Sequence, residues 1–240
     1  MTAQRTSSVL TAELARVAGA PPLVYRDVAL LGRPDRRFDL TLGAGEVLAA
    51  IGEENSGIEM LGKLALGLVP PASGTVEVFG LPIAELSYYD LLVFRRRLGY
   101  LPQGDGLLQN LSLRDNVALP VRFATDHRLR EVDAKVTQLV EDFRLRAIAG
   151  LRPAQANEED RRRAAAARAI ALDPKLVVLE LPFVGLTGRA AQDLLDRVSR
   201  SEDGGRRAVL LTSRELTPSV RGLITRAVRV VDGVAAEDAK

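Results

Sequence analysis

Two glycines have the spacing found in a phosphate-binding loop, but the side chains that such a loop uses to bind phosphate and metal are missing. Gly52 and Gly57 stand between a strand-like run and a helical run, as in Gly-x-x-x-x-Gly-Lys-Ser/Thr loops, whose backbone amides cradle phosphates. In such loops the lysine neutralises the phosphates and the hydroxyl holds Mg²⁺. Here those two positions are Ile58 and Glu59, which bring no positive charge and place a carboxylate at the metal position. Each lost charge-assisted bond forfeits roughly 1.5 to 3 kcal/mol of phosphate binding.

The same loop residues also have a purely structural interpretation. Ser56 and Glu59 form a Ser-x-x-Glu capping box, which predicts that Ser56 caps the next helix and Glu59 accepts a bond from the amide of the cap residue. Lys63 comes about 7.5 Å further along the helix axis than Ile58 and about 140° round it, so we do not expect it to replace the missing lysine. The loop residues that we expect to keep weak, vestigial contacts to a nucleotide are Gly52, Asn55, Ser56 and Gly57.

Composition is that of an ordinary soluble globular protein. The chain has 240 residues, 47% of them hydrophobic, which is enough to bury one α/β core with an inserted subdomain or two small cores. Its 33 basic and 31 acidic residues nearly cancel, so we expect no nucleic-acid partner. The absence of cysteine fits a reducing cytoplasm. The sequence contains no run of 18 apolar residues, so we expect no membrane-spanning helix. The start of the chain lacks the apolar core of a signal peptide.

Strand-like and helical patterns alternate along the chain and predict an α/β fold with a parallel sheet. Several of the strand-like runs are apolar on both faces, as in a sheet covered on both sides. Strands are predicted at 23–30, 38–42, 46–52, 74–80, 97–103, 175–181, 207–213 and 227–233. Helices are predicted at 57–68, 88–96, 129–143, 157–172 and 188–201.

The order of these features resembles an ABC transporter nucleotide-binding domain, from about residue 22 to residue 233. "ASGTVEVFG" looks like the strand and turn that follow the phosphate-loop helix, and "LGYLPQGDGLLQ" looks like the Q-loop, with Gln103 at its glutamine. "ARAIALDPKLVVLELPFVGL" is similar to the helix, Walker B strand and D-loop approach. "LSLRDNVALPVRF" most resembles the corresponding segment in the ATPases of Mla/Mce-type lipid transporters, although FtsE-type and lipoprotein-export ATPases have similar sequences there.

This resemblance implies a P-loop NTPase-like domain with a helical subdomain. We expect an N-terminal extension over 1–20 and a RecA-like core over 21–103 and 161–240. The helical subdomain is expected between the two parts of the core, over 104–160.

Departures from the family occur at the positions that the resemblance marks as catalytic. The Walker B strand normally ends in a metal-binding Asp followed by a general-base Glu. Glu180 stands first and keeps a residual role towards Mg²⁺, whereas Leu181 cannot act as a base. The D-loop aspartate is replaced by Thr187, and the switch histidine by Ser213, followed by Arg214.

The signature and the base-stacking position have changed as well. The signature Leu-Ser-Gly-Gly-Gln, which holds the γ-phosphate of ATP bound by the opposite subunit, aligns with Ala156 and four polar residues, Asn157, Glu158, Glu159 and Asp160. Asn157 is a good helix cap, and three acids in the first turn stabilise the helix start. The same negative charges oppose the binding of a phosphate. The stacking aromatic expected at 30–32 is absent, and Tyr25 nearby is expected in a core or sheet-edge role.

These departures predict a pseudo-ATPase, a subunit that docks on a membrane permease without hydrolysing ATP. It resembles an enzyme family but is expected to be inactive, with no required cofactor and with ATP and Mg²⁺ bound weakly or not at all. Gln103 is a further vestigial nucleotide contact, and with Leu107 and Leu108 it is a candidate permease contact. On sequence grounds, packing of both leucines inside the helical subdomain is as good an interpretation as contact with a permease. We expect a homodimer or heterodimer with another ABC subunit, in the cytoplasm and peripheral to the inner membrane, and lipid-related transport.

Two alternatives stay open at this stage. The chain can bind ATP in a heterodimer with an intact ABC ATPase, whose bound ATP would face Asn157 to Asp160, or it can be an interaction module without a permease. His127, the single histidine, has no clustered partners in sequence, and we expect it in a solvent-facing turn rather than at a metal.

Overall fold

The computed structural model describes residues 19–124 and 129–237. His127 and residues 1–18 of the expected N-terminal extension lie outside them. The strands and helices follow one another as β1 (Leu23–Leu30), β2 (Arg33–Leu42), β3 (Val47–Ile51), α1 (Ile58–Ala65), β4 (Ser73–Val78), β5 (Leu81–Pro82), α2 (Tyr88–Arg95), β6 (Leu98–Leu101), α3 (Leu113–Ala124), α4 (Leu129–Asp142), α5 (Glu158–Ala169), β7 (Leu176–Glu180), α6 (Gly188–Ser199), β8 (Ala208–Ser213), α7 (Pro218–Arg221), β9 (Arg226–Val231) and β10 (Val234–Glu237). Short 3₁₀ turns occur at Ile83–Glu85, Arg146–Ile148 and Pro153–Gln155.

Two sheets organise these elements. The larger has the order β10-β9-β3-β8-β7-β6, and within it β9, β3, β8, β7 and β6 run parallel. The smaller is antiparallel, in the order β2-β1-β4-β5. The α/β prediction with a parallel sheet is confirmed. The sequence patterns did not predict α3, because Pro120 inside it is a helix-breaking signal.

The parallel sheet is covered on both faces, and the strand sequences show why. In β3, Val47 and Ala49 belong to one hydrophobic cluster and Leu48 and Ala50 to the other, because successive side chains of a strand point to opposite faces. The first cluster packs α3, α4, α5 and α6 on one face. The second packs α1 and the antiparallel sheet on the other face. The strands are therefore apolar throughout.

The parallel register brings the candidate residues to one edge of the sheet. Ile51 at the end of β3 pairs with Ser213 at the end of β8, and Glu180 at the end of β7 pairs with Thr212. Ligands of open parallel sheets bind outside the carboxyl ends of the strands, so this edge is the first place to look for a site. α1 is anchored next to it by buried Tyr25, whose hydroxyl donates to the Leu61 carbonyl at 2.8 Å.

The expected helix-rich middle is present as α3 and α4. The domain boundaries themselves stay a prediction, because α5 packs both on α3 and on β6 of the sheet. Across the two described ranges, none of the helices has the length and apolarity that crossing a bilayer requires.

Candidate functional site

The loop between β3 and α1 keeps the backbone plan of a phosphate-binding loop. The amide of Gly52 donates to the Ser213 carbonyl at 3.0 Å and ties the loop to the end of β8. A Cβ on Gly52 would lie 2.5 Å from the Ser56 hydroxyl, so the position requires glycine. Asn55 and Gly57 adopt positive φ angles of 64° and 105°, a region that asparagine and glycine reach most easily. The residue types at these loop positions therefore fit the tight backbone conformation.

Two distant segments brace the loop from outside. The guanidinium of Arg33 donates to the Asn55 carbonyl and forms an ion pair with Asp232 at 3.3 Å. The amide of Gly233 donates to the Ser56 carbonyl at 2.7 Å. Sequence reasoning missed Arg33, because a contact between residues 22 apart in the chain leaves no local pattern.

The start of α1 differs from the predicted capping box. The N-cap is Gly57, not Ser56. Glu59 does accept a bond from the amide of the cap residue, at 3.2 Å, but the Ser56 hydroxyl approaches only the Ile58 amide, at 3.5 Å. The positive φ of Gly57 moves the cap one residue along the chain from the predicted position. The first turn of α1 is thus satisfied by one carboxylate and one long contact.

A cavity of about 230 Å³ lies beside the first turns of α1 and the ends of β7 and β8. Its charged lining consists of two cations, Lys63 and Arg214, and three carboxylates, Glu54, Glu59 and Glu180. The rest of the lining is Asn55, Ile58, Gln103, Leu181 and Thr212. Six of the predicted site positions, Asn55, Ile58, Glu59, Gln103, Glu180 and Leu181, thus meet at one cavity.

Lys63 lies at the cavity, although helix geometry places its Cα far from that of Ile58. Its distance along α1 suggested that it could not serve in place of the missing loop lysine, yet it lines the cavity together with Ile58 and Glu59. Side chains on a helix tilt towards the N-terminus, so a long side chain covers the turn before its own Cα. The expectation considered only the position of the Cα.

The end of β7 carries one residue suited to a metal and one unsuited to catalysis. Glu180 is 8% exposed, and its Oε2 accepts the Gln103 amide at 3.4 Å. Its Oε1 is buried and has no hydrogen-bond partner within the described part of the chain. Partial burial raises the pKa of the Tyr100 hydroxyl, and the nearby Glu180 carboxylate raises it further. Leu181 lines the same cavity with a side chain that accepts no proton.

Two other degenerate positions serve the chain's own structure. Ser213 donates its hydroxyl to the Glu215 carbonyl at 2.6 Å. Thr187 caps α6 by accepting an amide of its first turn at 3.3 Å. Arg214, next to Ser213, pairs with Glu54 at 3.5 Å and lines the cavity. Sequence reasoning noted Arg214 but assigned it no role, because the folding of β8 against β3 decides where it points.

The signature-like residues at the start of α5 are engaged with one another. Asn157 accepts the Asp160 amide at 2.8 Å and donates to the Asp160 carboxylate at 2.7 Å, so the predicted cap is confirmed. Glu159 and Asp160 both form ion pairs with Arg163. Glu158 lies against the turn that follows β7. None of these four acidic and amide side chains lines the cavity.

Arginines of α5 hold the segment that follows β6. Arg162, 5% exposed, donates to the Gln103 carbonyl at 2.9 Å, and Arg161 donates to the Asp105 carboxylate at 3.0 Å. Arg168 donates to backbone carbonyls of the same segment. These contacts fix Gln103 at the cavity rim through its backbone.

The two leucines proposed as permease contacts differ in exposure. Leu107 is 5% exposed and packs in the hydrophobic core with the helical subdomain. It is therefore corrected to a packing residue, because a side chain inside the core cannot meet a partner. Leu108 is 47% exposed and stays a candidate.

The residues of the cavity fit a metal–phosphate complex better than a bare phosphate. An unpartnered carboxylate oxygen, Glu180 Oε1, is the kind of ligand that Mg²⁺ takes. The two cations and three carboxylates sum to a formal charge of 2 − 3 = −1, which opposes an anion until a divalent cation reverses it. Among the described residues no three His, Cys, Asp or Glu side chains form a metal cage. Mg²⁺ is commonly held by one or two carboxylates together with substrate phosphates.

Comparison with known proteins gives a consistent family. A family model described as ABC transporter matches residues 36–184. The uncharacterised ABC transporter ATP-binding protein YvcR of Bacillus subtilis is 29% identical over 82% of this chain and 75% of its own length. The intermembrane phospholipid transport system ATP-binding protein MlaF of Haemophilus influenzae is 36% identical over 62% of this chain and 56% of its own length. The chain thus spans little more than half of MlaF.

The fold agrees with a solved cassette. The dimeric, post-hydrolysis ATP-binding cassette MJ0796, bound to ADP and Pi, matches with a TM-score of 0.81 over 91% of this chain and 98% of that chain. The sequence identity is 20%, so this likeness shows the fold.

Binding of ATP and Mg²⁺ is the point on which the sequence prediction is wrong. Weak or absent binding does not agree with a match to the ABC transporter family or with relatives named ATP-binding proteins. The substitutions at Ile58 and Glu59 remove two contacts but leave the loop backbone, Glu180 and two cavity cations in place. Because the family model matches more than half of the residues of this chain, the chain belongs to the ABC transporter family.

Proposed function

We propose that the chain is a nucleotide-binding subunit of an ABC transporter that does not hydrolyse ATP in its own site. The observation that carries the proposal is Leu181, which follows β7 and lines the cavity where a general base would act. Its amide is held by the Thr212 hydroxyl oxygen at 3.1 Å, which leaves an apolar side chain at this point of the cavity. An alkyl group neither takes a proton nor orients a water.

Other groups that hydrolysis requires are missing or engaged. Hydrolysis of ATP depends on an oriented water and on donors that stabilise charge developing on the transferred phosphoryl group. The Ser213 hydroxyl donates to a backbone carbonyl, and the Glu59 carboxylate accepts a backbone amide. The signature-like residues of α5 are paired with their own helix. The site therefore retains groups for binding and lacks groups for turnover.

The residues proposed to hold the nucleotide are those of the loop and the cavity rim. The loop backbone at Gly52, Asn55, Ser56 and Gly57 encloses the phosphate end, with Gln103 on the opposite rim. Glu180 is the proposed ligand of Mg²⁺, which when bound supplies positive charge against the phosphates. Binding without hydrolysis suits a structural or regulatory subunit, because the bound state then persists.

The proposed partner is a membrane permease, and we assign its contact to a groove of about 360 Å³ between α2 and α3. Phe123 is 84% exposed and Leu92 is 43% exposed, so this rim offers apolar surface that a partner helix would cover. Arg96 and Arg168 also line the groove and favour a partner segment that carries acidic residues. Tyr100 lines the groove, and both its burial and the neighbouring Glu180 carboxylate raise the pKa of its hydroxyl, so groove and cavity are adjacent.

A cytoplasmic position, peripheral to the inner membrane, follows from docking on a permease. The similarity to MlaF supports phospholipid as the proposed cargo class. A dimer, with a second copy or with another ABC subunit, is proposed for the assembly.

An ATPase assay tests the catalytic part of the proposal. Purified chain should release phosphate no faster than Leu181→Ala, because neither side chain acts as a base. A robust rate that Glu180→Ala abolishes would mean that the chain hydrolyses ATP, and the proposal would fail.

Co-purification from the native membrane tests the partner. A permease should be recovered with the wild-type chain, and Leu92→Ala with Phe123→Ala should reduce its recovery. Val231→Ala is the matched control, because Val231 is an exposed apolar residue on β9, outside the groove. Equal recovery with both variants would exclude this groove as the docking site.

A further inference from the structure

Lys63 is a cation beside the phosphate loop that has no described partner. It lies in α1 four residues after Glu59, so the two residues are on the same face of the helix. Both line the cavity, yet no ion pair within 4.0 Å and no hydrogen bond of the Lys63 ammonium is found among the described residues. An ammonium that is not committed to a structural ion pair is available to a ligand.

The surroundings of Lys63 direct it towards the site. A lysine stem on a helix tilts towards the helix N-terminus, which here is the loop that ends at Gly57. The neighbouring Gly62 lets the Glu180 side chain pack closely against α1, because a Cβ there would lie 3.0 Å from Glu180 Oε1. Glu180 and Lys63, which has a flexible stem, therefore line the same cavity.

The charge of the cavity sets a condition on what binds there. With three carboxylates against two cations, the lining repels an anion. A divalent cation on Glu180 changes the formal sum from −1 to +1, and Lys63 is then one of two cations that face the phosphates. Removing Lys63 would lower that sum from +1 to zero.

We propose that Lys63 provides the positive charge that the lysine of a phosphate-binding loop normally provides, acting on the phosphates of a nucleotide whose Mg²⁺ is held by Glu180. The inference rests on the proposed nucleotide-binding function. It makes binding selective for the metal complex of the nucleotide over the free nucleotide. Lys63 lies about 1.4 helical turns further along α1 than Ile58, which is buried in the core.

Titration of a fluorescent ATP analogue tests this directly, with and without Mg²⁺. Lys63→Met should weaken binding of the Mg²⁺ complex roughly 10- to 100-fold, since one charge-assisted contact is lost. Lys63→Arg should stay within about threefold of the wild type, because the charge and the length are kept. Chelation of Mg²⁺ with EDTA should weaken the wild type at least as much as Lys63→Met does.

The matched control is Lys175→Met. Lys175 stands just before β7, at the end opposite to Glu180, and pairs with Asp203 on the surface. This variant should bind the analogue as the wild type does. Thermal unfolding of each variant without nucleotide separates a folding defect from a binding defect, and Lys63→Arg gives a second reading if Lys63→Met unfolds.

The outcomes separate this inference from the function beneath it. Wild type that does not bind the analogue in Mg²⁺ contradicts both. Wild type that binds, with Lys63→Met binding equally well, contradicts the role of Lys63 and leaves nucleotide binding intact. Loss in Lys63→Met that Lys63→Arg restores, with Lys175→Met unchanged, supports the proposal.

Discussion

The starts of α1 and α5 are the two helix ends that face phosphates in the family, and they have diverged to different degrees. At α5, Asn157 accepts the Asp160 amide at 2.8 Å, and Arg163 pairs with two acids of the first turn. At α1, no side chain caps the helix, and the Ser56 hydroxyl stands 3.5 Å from the amide that it approaches. One helix end is closed by its own residues, while the other is loosely satisfied and borders a cavity.

The difference explains how acids in both first turns have different consequences. Asp160 and Glu159 form ion pairs with Arg163, so the start of α5 has few charged groups free to contact a ligand. The cavity beside the α1 start is lined by an uncommitted cation, Lys63, and by Glu180, which has one carboxylate oxygen without a partner among the described residues. The two helix starts therefore differ in whether the charged groups beside them are already paired.

The largest effect is expected from Arg162, which ties α5 to the cavity rim. Arg162→Met should lower the free energy of unfolding by about 3 kcal/mol, because carbonyls of the segment after β6 lose a buried donor. Arg163→Met on the same helix should cost only about 0.5 kcal/mol, since its ion pairs are partly exposed. Urea unfolding measures both. Equal losses in the two variants would show that the buried contacts of Arg162 stabilise the fold no more than the surface ion pairs of Arg163.

Restoring the phosphate contacts at each helix start compares the two sites by affinity. Ile58→Lys with Glu59→Thr should tighten ATP binding roughly 10- to 100-fold, because a charge-assisted contact and a metal hydroxyl return to the α1 start. Glu158→Gly with Glu159→Gly should leave the affinity of a single chain unchanged, since neither residue lines the cavity. Calorimetry with Mg-ATP provides the measurement. A gain from the α5 pair alone would reverse the comparison.

Cap removal gives a smaller difference in stability. Asn157→Ala should cost about 1 kcal/mol, a usual value for a lost N-cap. Ser56→Ala should cost less than about 0.5 kcal/mol, because its 3.5 Å contact is too long to contribute a full hydrogen bond. Thermal or urea unfolding of the two variants measures the contrast, and a larger loss at Ser56 would refute it.

The smallest effect lies remote from both helix starts and sets the baseline. The hydrogen bond from Lys175 lowers the pKa of Asp203 to about 2. The usual aspartate pKa is about 3.9, so any stabilisation from this pair is complete above that pH and is lost as the pH falls towards 2. Lys175→Met should raise the Asp203 pKa towards about 3.9 in an NMR titration. An unchanged pKa would mean that Lys175 does not set it.

Much of the fold was predictable because its signals are local. The predicted strand at 23–30 is β1, and strands apolar on both faces correctly indicated a covered parallel sheet. The predicted cap at Asn157 formed because the side chain and its amide are three residues apart. The predicted cap at Ser56 did not form, because Gly57 adopts a positive φ within a loop braced by the distant Arg33. The extent of α3 was missed at Pro120.

The sequence by itself determined the family, the order of the motifs and the presence of a leucine at position 181, because spacing and residue type are properties of the chain. Only the tertiary structure decided which residues meet at the cavity. It placed Lys63 and Arg214 beside Glu180, and it left one oxygen of Glu180 without a partner. These contacts join residues from separate strands and helices, whose distances are set by sheet register and side-chain direction rather than by separation along the chain.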